Sequence, residues 1–226
     1  MILALDTSGP RCGVALWNET TAGELTAFLE SDADLRHNEM LLDQIRTLQS
    51  WNREAFASLT AVAVSSGPGS FTGLRVGMSV AKGLCWVWKL PLVTVPTLAG
   101  LAESAPPRVQ RALPLMPARA REVYWRLFEY GLEGWTASAD HTVSEVDRIP
   151  EAVQGPVFLC GEGYARHRAE LDRRFSGRRI ELEPGETQEP LVVATARLAA
   201  QRLLGGRIAD LKNAEPEYYY PFPRGG

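Results

Sequence analysis

Histidine and cysteine are scarce in this chain, three of each in 226 residues, and their spacing excludes more than their number does. Cys12, Cys85 and Cys160 stand more than seventy residues apart, so there is no Cys-x-x-Cys pair of the zinc type, and an odd count leaves at least one thiol free. His37, His141 and His167 never fall at i, i+4, which removes the His-x-x-x-His metal helix. With no G-x-S-x-G elbow and the three histidines isolated, the sequence argues against a hydrolase built on a metal or a nucleophile–base pair. A magnesium site of scattered carboxylates stays open, though no residue pattern favours it. No apolar run reaches membrane-spanning length, because Lys82 and Lys89 interrupt the longest one. Met1–Leu5 meets Asp6 at once, without a basic leader or a small-residue cleavage pattern, so it does not read as a signal peptide and cytoplasmic residence is expected. Nor is there an excess of positive charge. A net charge of −3 and a pI near 5.7 argue against independent binding to a nucleic-acid backbone. The local exception is Arg166, Arg168, Arg173, Arg174, Arg178 and Arg179 against only Glu170 and Asp172, which reads as a solvated helix face.

What is present is enough apolar residue, 45% of the chain against 23% charged, for one large or two modest cores. Met1–Leu5 reads as a buried strand, 6–11 as a turn, and Cys12–Trp17 as the returning strand of a hairpin with Asp6-Thr7-Ser8 at its bend. Leu25–Leu29 extends the meander, and an amphipathic helix follows over His37–Trp51 with Leu41, Ile45 and Leu48 inward. A strand over Leu59–Val64, a helix over Thr72–Trp88, a strand over Leu92–Val95 and a short helix over Thr97–Glu103 complete a first subdomain of residues 1–104. Ala105-Pro106-Pro107 breaks any helix and marks a boundary. A second subdomain, 108–214, is expected to hold strands over Arg111–Met116, Glu122–Tyr130, Trp135–Val143 and Pro156–Cys160. Its helices are placed over Ser144–Val153 and from Gly163 to Arg174. A late helix over 191–205 is free to pack back on the first subdomain, and 215–226, with its prolines and Tyr218-Tyr219-Tyr220, reads as an extended tail whose aromatics dock on the body or on a partner.

The stretch from Ser65 to Gly77 carries the most information, since it sets a glycine-rich turn between a buried strand and a helix. As a nucleotide loop it is degenerate. The dinucleotide spacing G-x-G-x-x-G fails at Thr72, the P-loop lysine is absent until Lys82, and Pro68 removes an amide donor. The helix itself holds Gly73, Gly77 and Gly83, at about 1 kcal/mol each relative to alanine. Close packing offsets such a cost: Gly73, Gly77, Val80, Ala81, Leu84 and Trp88 fall on one stripe that another helix or a strand can approach. Two readings stay open, a central helix buried within one chain and a helix half of whose surface meets another protein.

A hairpin bent around Asp-Thr-Ser, followed by a duplicated mixed-sheet layout, points to an α/β fold of the actin, Hsp70 and sugar-kinase architecture, related to ribonuclease H. There the first hairpin approaches the phosphates and magnesium, which makes Asp6, Thr7, Ser8, Gly67 and Gly69 the candidate phosphate residues. Asp6 equally suits a turn that its own side chain caps.

Taken together, Ile2-Leu3-Ala4-Leu5-Asp6-Thr7-Ser8, Val14-Ala15-Leu16-Trp17, the block Gly67-Pro68-Gly69-Ser70-Phe71-Thr72-Gly73-Leu74-Arg75-Val76-Gly77, Glu122-Val123-Tyr124-Trp125 and Glu215-Pro216 with its tyrosines closely resemble the TsaB (YeaZ) family of tRNA threonylcarbamoyladenosine synthesis. The glycine block is the specific element. The resemblance implies the two-subdomain actin-like fold and a non-catalytic role in moving a threonylcarbamoyl group onto the adenosine beside the anticodon. It implies as partners a catalytic TsaD-like paralogue in a heterodimer and a small TsaE-like ATPase, a homodimer when alone, and tRNA met only through the complex. ATP and a metal are then expected in the partner subunits, with none held by this chain alone. The paralogue's metal is held by two histidines; aligned on Val95–Leu101, their places fall on Thr97 and Leu101. The resemblance assigns the interface to Gly73, Gly77, Val80, Ala81 and Leu84, with Leu41, Leu42 and Ile45 on the preceding helix. It also shows one departure: Pro117-Ala118-Arg119-Ala120-Arg121-Glu122-Val123-Tyr124 stands where the family carries Asp-Ala-Arg-x-Gly-Glu-Val-Tyr. The alternative function is an ATP-dependent phosphotransferase of the same fold, working through Asp6 and the loop from Gly67 to Gly69.

Overall fold

Alternation along β1 (Ile2–Asp6) sets the first sheet, because its five residues are all buried and supply side chains to both faces. β1 pairs antiparallel with β2 (Arg11–Asn18) and parallel with β4 (Ala61–Gly67). β3 (Glu24–Asp32) and β5 (Leu92–Pro96) flank them in the order β3-β2-β1-β4-β5. The computed structural model describes residues 1–20, 23–32, 37–132, 134–137, 142–149 and 153–218. His141 and the tail from 219 onward, both singled out in the sequence, lie outside them.

Leu3 and Leu5 join Val14, Leu16, Val62 and Val64 on one face, against Leu41, Ile45 and Leu48 of α1 (His37–Trp51) and Met78, Ala81 and Cys85 of α3 (Phe71–Trp88). Between these helices lies the short α2 (Arg53–Ala57). The other face carries Ile2, Ala4, Ala15, Ala61, Ala63, Val93 and Val95, and α7 (Leu191–Leu204) covers it with Val192, Val193, Ala196, Ala199 and Ala200.

The chain divides into two units, Met1–Thr97 with Val192–Gly226, and Leu98–Leu191. This corrects the boundaries drawn at 104–108 and at 214. The first break falls inside α4 (Thr97–Glu103), whose Leu98, Leu101 and Ala102 pack with Val109, Ala112 and Phe158 of the second unit. The paired prolines end a helix without ending a domain. Residues 205–214 belong with the first unit, since the Ala209 amide donates to the Leu92 carbonyl at 2.8 Å and Leu211 and Ala214 pack on the first core.

In the second unit β6 (Arg111–Pro117) is central. β7 (Glu122–Trp125) and β8 (Phe128–Gly131) pair antiparallel with it in one continuous register, Leu115 opposite Trp125 and Ala112 opposite Phe128. The single strand expected over 122–130 is thus present, with its pairing interrupted at 126–127. β9 (Gly134–Ala137) lies on β8 and β10 (Thr142–Glu145) on β7, while β11 (Phe158–Cys160) runs parallel to β6. The helix expected over Ser144–Val153 begins as strand, makes one 3-10 turn, Val146–Arg148, and is helical at Ile149; residues 150–152 lie outside the described residues. The next helix breaks at His167 into α5 (Glu162–Arg166) and α6 (Arg168–Arg174).

Candidate functional site

The bend of the first hairpin and the glycine block meet directly. Asp6, Thr7 and Ser8 are buried, and their polar atoms are taken up inside the chain. Ser8 donates from its hydroxyl to Asp6 Oδ1 at 2.7 Å and from its amide to the same oxygen at 3.2 Å, the local bond pattern of an Asx turn. Thr7 donates its hydroxyl proton to the Gly73 carbonyl at 2.7 Å. The Ser70 amide donates to the Ser8 carbonyl at 2.7 Å, and Ser70 caps α3 by accepting from the Gly73 amide at 3.2 Å.

Three of the four glycines of the block are explained by this contact. A Cβ at Gly69 would fall on the Ser8 carbonyl, one at Gly73 on the Thr7 carbonyl, and one at Gly77 on Thr7 Oγ1. The glycine face of α3 is therefore turned to the chain's own hairpin. This corrects the interface assignment for Gly73, Gly77 and Ala81, and for Leu41 and Ile45 on α1, all of which are buried in the first unit. Val80 and Leu84 are half-buried against the same core. Of the assigned residues only Leu42 is exposed. The candidate phosphate residues likewise meet one another: the Ser8 carbonyl lies against Gly69, and Asp6 Oδ1 accepts from Ser8.

The other side of the loop is closed by the C-terminal segment. Gly67, at φ 122°, adopts a backbone conformation that favours glycine, and a Cβ there would lie 2.7 Å from the Glu217 carbonyl. The Glu217 amide donates to the Ser66 carbonyl at 2.7 Å, and the Ser66 hydroxyl donates to Glu217 Oε1 at 2.9 Å. Thr97, at the place of a metal-binding histidine in the paralogue, instead accepts the Gly67 amide at 3.2 Å through its hydroxyl. Leu101 belongs to the core of the second unit. Among the described residues, no three His, Cys, Asp or Glu side chains converge as a metal site would require.

The three thiols are inert. Burial pushes Cys12 up to about 12, with Asp6 and Glu30 adding to the shift, and burial pushes Cys85 up to about 11. Cys160 is raised further by burial alone. In the second unit Arg121, where the family carries glycine, pairs with Glu170 at 2.9 Å. Its neighbours are similarly engaged: Arg174 pairs with Glu170 at 3.2 Å, Arg168 with Asp172 at 3.5 Å and Arg179 with Asp172 at 3.2 Å. Much of the arginine cluster thus works inside its own unit.

Toward its C-terminal end the exposed side of α3 carries large apolar side chains. Trp86 is 78% and Val87 72% exposed, and a Cβ added at Gly83 would meet nothing within 4 Å. Ser79, Gly83 and Trp86 follow one another at helical spacing on that side, and α1, which packs against α3, carries the exposed Leu42. Sequence reasoning missed this face because Trp86 and Val87 have the hydropathy of core residues. It also missed Ser66, Thr97 and Glu217 as partners of the loop; the expectation that the tail's aromatics dock on the body is met at Tyr218, whose ring stands 5.4 Å from that of Phe71.

Residues 30–184 match the family model described as TsaD, tRNA N6-adenosine threonylcarbamoyltransferase. The chain is 30% identical over 223 residues to the tRNA threonylcarbamoyladenosine biosynthesis protein TsaB of Escherichia coli K12, covering 96% of this chain and 93% of that one. It is 34% identical to the TsaB protein of Haemophilus influenzae, over 80% of each chain. Among solved structures, YeaZ from Pseudomonas aeruginosa superposes with a TM-score of 0.75 at 25% identity, over 96% of this chain and 98% of that one. The ethanolamine utilization protein EutJ of Carboxydothermus hydrogenoformans shares the fold, with a TM-score of 0.52 at 11% identity over 88% and 89% of the two chains.

Proposed function

The chain belongs to the TsaB (YeaZ) family, with its actin-like fold, and from that premise we propose that it is a non-catalytic partner that binds and activates a TsaD-like threonylcarbamoyltransferase. Involvement in tRNA threonylcarbamoyladenosine biosynthesis comes with the family. The finer role rests on one observation: the loop proposed for a nucleotide's phosphates packs against Ser8 on one side, at Gly69, and against Glu217 on the other, at Gly67. A chain whose phosphate residues bond to one another contributes a surface to the reaction, and the chemistry falls to the partner. ATP and the metal then belong to the TsaD-like and TsaE-like subunits, the tRNA is met through the assembly, and the whole works in the cytoplasm. No helix among the described residues is long and apolar enough to cross a membrane.

The partner surface is the outer side of α3, Ser79, Gly83, Trp86 and Val87, with Leu42 on α1. It takes the place of the buried glycine stripe. Large exposed apolar side chains beside a glycine that leaves a shallow dip suit the approach of another helix, from the TsaD-like subunit or from a second copy of this chain. The phosphotransferase alternative finds no support, because its residues Asp6, Gly67 and Gly69 are committed to internal packing.

Co-purification with the cognate TsaD-like protein, followed by a tRNA modification assay with and without this chain, tests the reading. Modification is expected to need both chains, with this chain alone transferring nothing. Full modification by the TsaD-like protein with its ATPase alone would overturn it.

A further inference from the structure

The C-terminal segment does more than close the loop. It is pinned at one end by the Ala209 amide on the Leu92 carbonyl, 2.8 Å, and at the other by the Glu217 amide on the Ser66 carbonyl, 2.7 Å. Between these pins it follows α3 in the opposite direction. Lys82 Nζ donates to the carbonyls of Lys212 at 3.2 Å and Ala214 at 2.9 Å. One and a half to two turns nearer the helix start, Arg75 Nε donates to the Tyr218 hydroxyl at 2.9 Å. The Arg75 guanidinium also lies 3.7 Å from the centroid of the Phe71 ring, and the rings of Phe71 and Tyr218 stand 5.4 Å apart. The segment therefore holds the polar flank of the helix whose outer side is the proposed partner surface.

We propose that residues 209–218 form a strap, latched by Tyr218 on Arg75 and Phe71, that fixes α3 for partner binding and is in turn tightened by it. This rests on the functional reading above. The physical basis is linkage. The strap only half-buries Ala209, Leu211, Ala214, Pro216 and Tyr218, while Lys212, Asn213, Glu215 and Glu217 are exposed, so it opens at lower cost than the sheet and the helices packed on it. A helix whose flank is released must be ordered again before a partner seats on it, which weakens binding. By reciprocity, a bound partner lowers the opening of the strap. The glycine loop is coupled to the same element, since Ser66 and Gly67 touch Glu217.

Two variants separate the latch from the fold. Tyr218→Phe removes the hydroxyl and keeps the ring; Tyr218→Ala removes both, and neither touches the outer side of α3. Hydrogen exchange on the full chain alone should show faster exchange at the Glu217 amide and over 71–78 in Tyr218→Ala, with Tyr218→Phe intermediate. Affinity for the TsaD-like protein should fall about tenfold in Tyr218→Ala, and the wild-type Glu217 amide should exchange more slowly in the complex. If wild type binds the partner and Tyr218→Ala, with a demonstrably loosened strap, binds equally well, the strap inference is overturned while the functional reading stands. Unchanged exchange in Tyr218→Ala overturns it too. A wild-type chain that does not bind the partner overturns the functional reading and this inference with it.

Discussion

The Thr7 hydroxyl donates to the Gly73 carbonyl at 2.7 Å across 66 residues of sequence, and this single bond ties the bend of the first hairpin to the first turn of α3. In a nucleotide-binding member of the architecture, the hairpin would approach a phosphate. Here they face each other, and Gly69, Gly73 and Gly77 are small so that they can.

Removing that bond gives the first prediction. Thr7→Val keeps the shape and deletes the donor at a fully buried position, so the chain should lose about 1–2 kcal/mol of stability. Thr7→Ser should recover part of it. Urea denaturation midpoints of the three proteins check this, and a Thr7→Val chain as stable as wild type would mean that the bond is dispensable.

The closed loop also makes a binding prediction. With Ser8 and Gly69 in contact and Glu217 over Gly67, titration of the chain with Mg-ATP in a calorimeter should give no saturable heat. Stoichiometric binding at micromolar concentration would restore the phosphotransferase alternative.

Much of the fold was legible because strands and helices announce themselves by period. The hairpin, the meander, α1 and α3 stand within a few residues of where the apolar spacing puts them. The orientation of α3 was not legible. Its surface is apolar nearly all round, so the stripe of Gly73, Gly77 and Ala81 and the side bearing Trp86 and Val87 compete on equal terms, and only the position of Thr7 decides between them. The C-terminal strap was hidden for another reason. Contacts such as Glu217 on Ser66 join residues 151 apart, and no local pattern encodes them.

A pH dependence follows from the second unit. Burial, then repulsion from Arg121 and Arg166, holds His167 below its ordinary value of 6.5, with Glu170 opposing. As pH falls through 6.5 the unfolded chain takes up a proton that the folded chain refuses, so stability is complete above 6.5 and declines down to the lowered folded value. His167→Gln should flatten the profile in that window relative to wild type. Denaturation midpoints at pH 7 and pH 5.5 measure it; parallel profiles for the two proteins would remove the effect.

The thiols supply a test of packing. With Cys12 near 12 and Cys85 near 11, and Cys160 higher still, almost no thiolate exists at pH 8, and all three side chains are buried. Iodoacetamide should leave the native chain unmodified and label three cysteines after denaturation. Rapid labelling of one thiol in the native state would show that its unit opens locally.

Two glycines on the same helix should respond in opposite ways. A side chain at Gly77 has nowhere to go, because Thr7 Oγ1 already occupies the place of its Cβ; Gly77→Leu should cost on the order of 3 kcal/mol or more and lower the yield of folded protein. Gly83 faces open space. Gly83→Leu removes a poor helix former, so the isolated chain should be stabilised by up to about 1 kcal/mol. That same leucine would stand in the dip between Ser79 and Trp86 where a partner helix is expected to approach. The Gly83→Leu chain should therefore be folded, more heat-resistant than wild type, and defective in binding the TsaD-like protein. Thermal melts and a pull-down on one preparation read both effects; a stable Gly83→Leu chain that still forms the complex would move the partner surface elsewhere on the molecule.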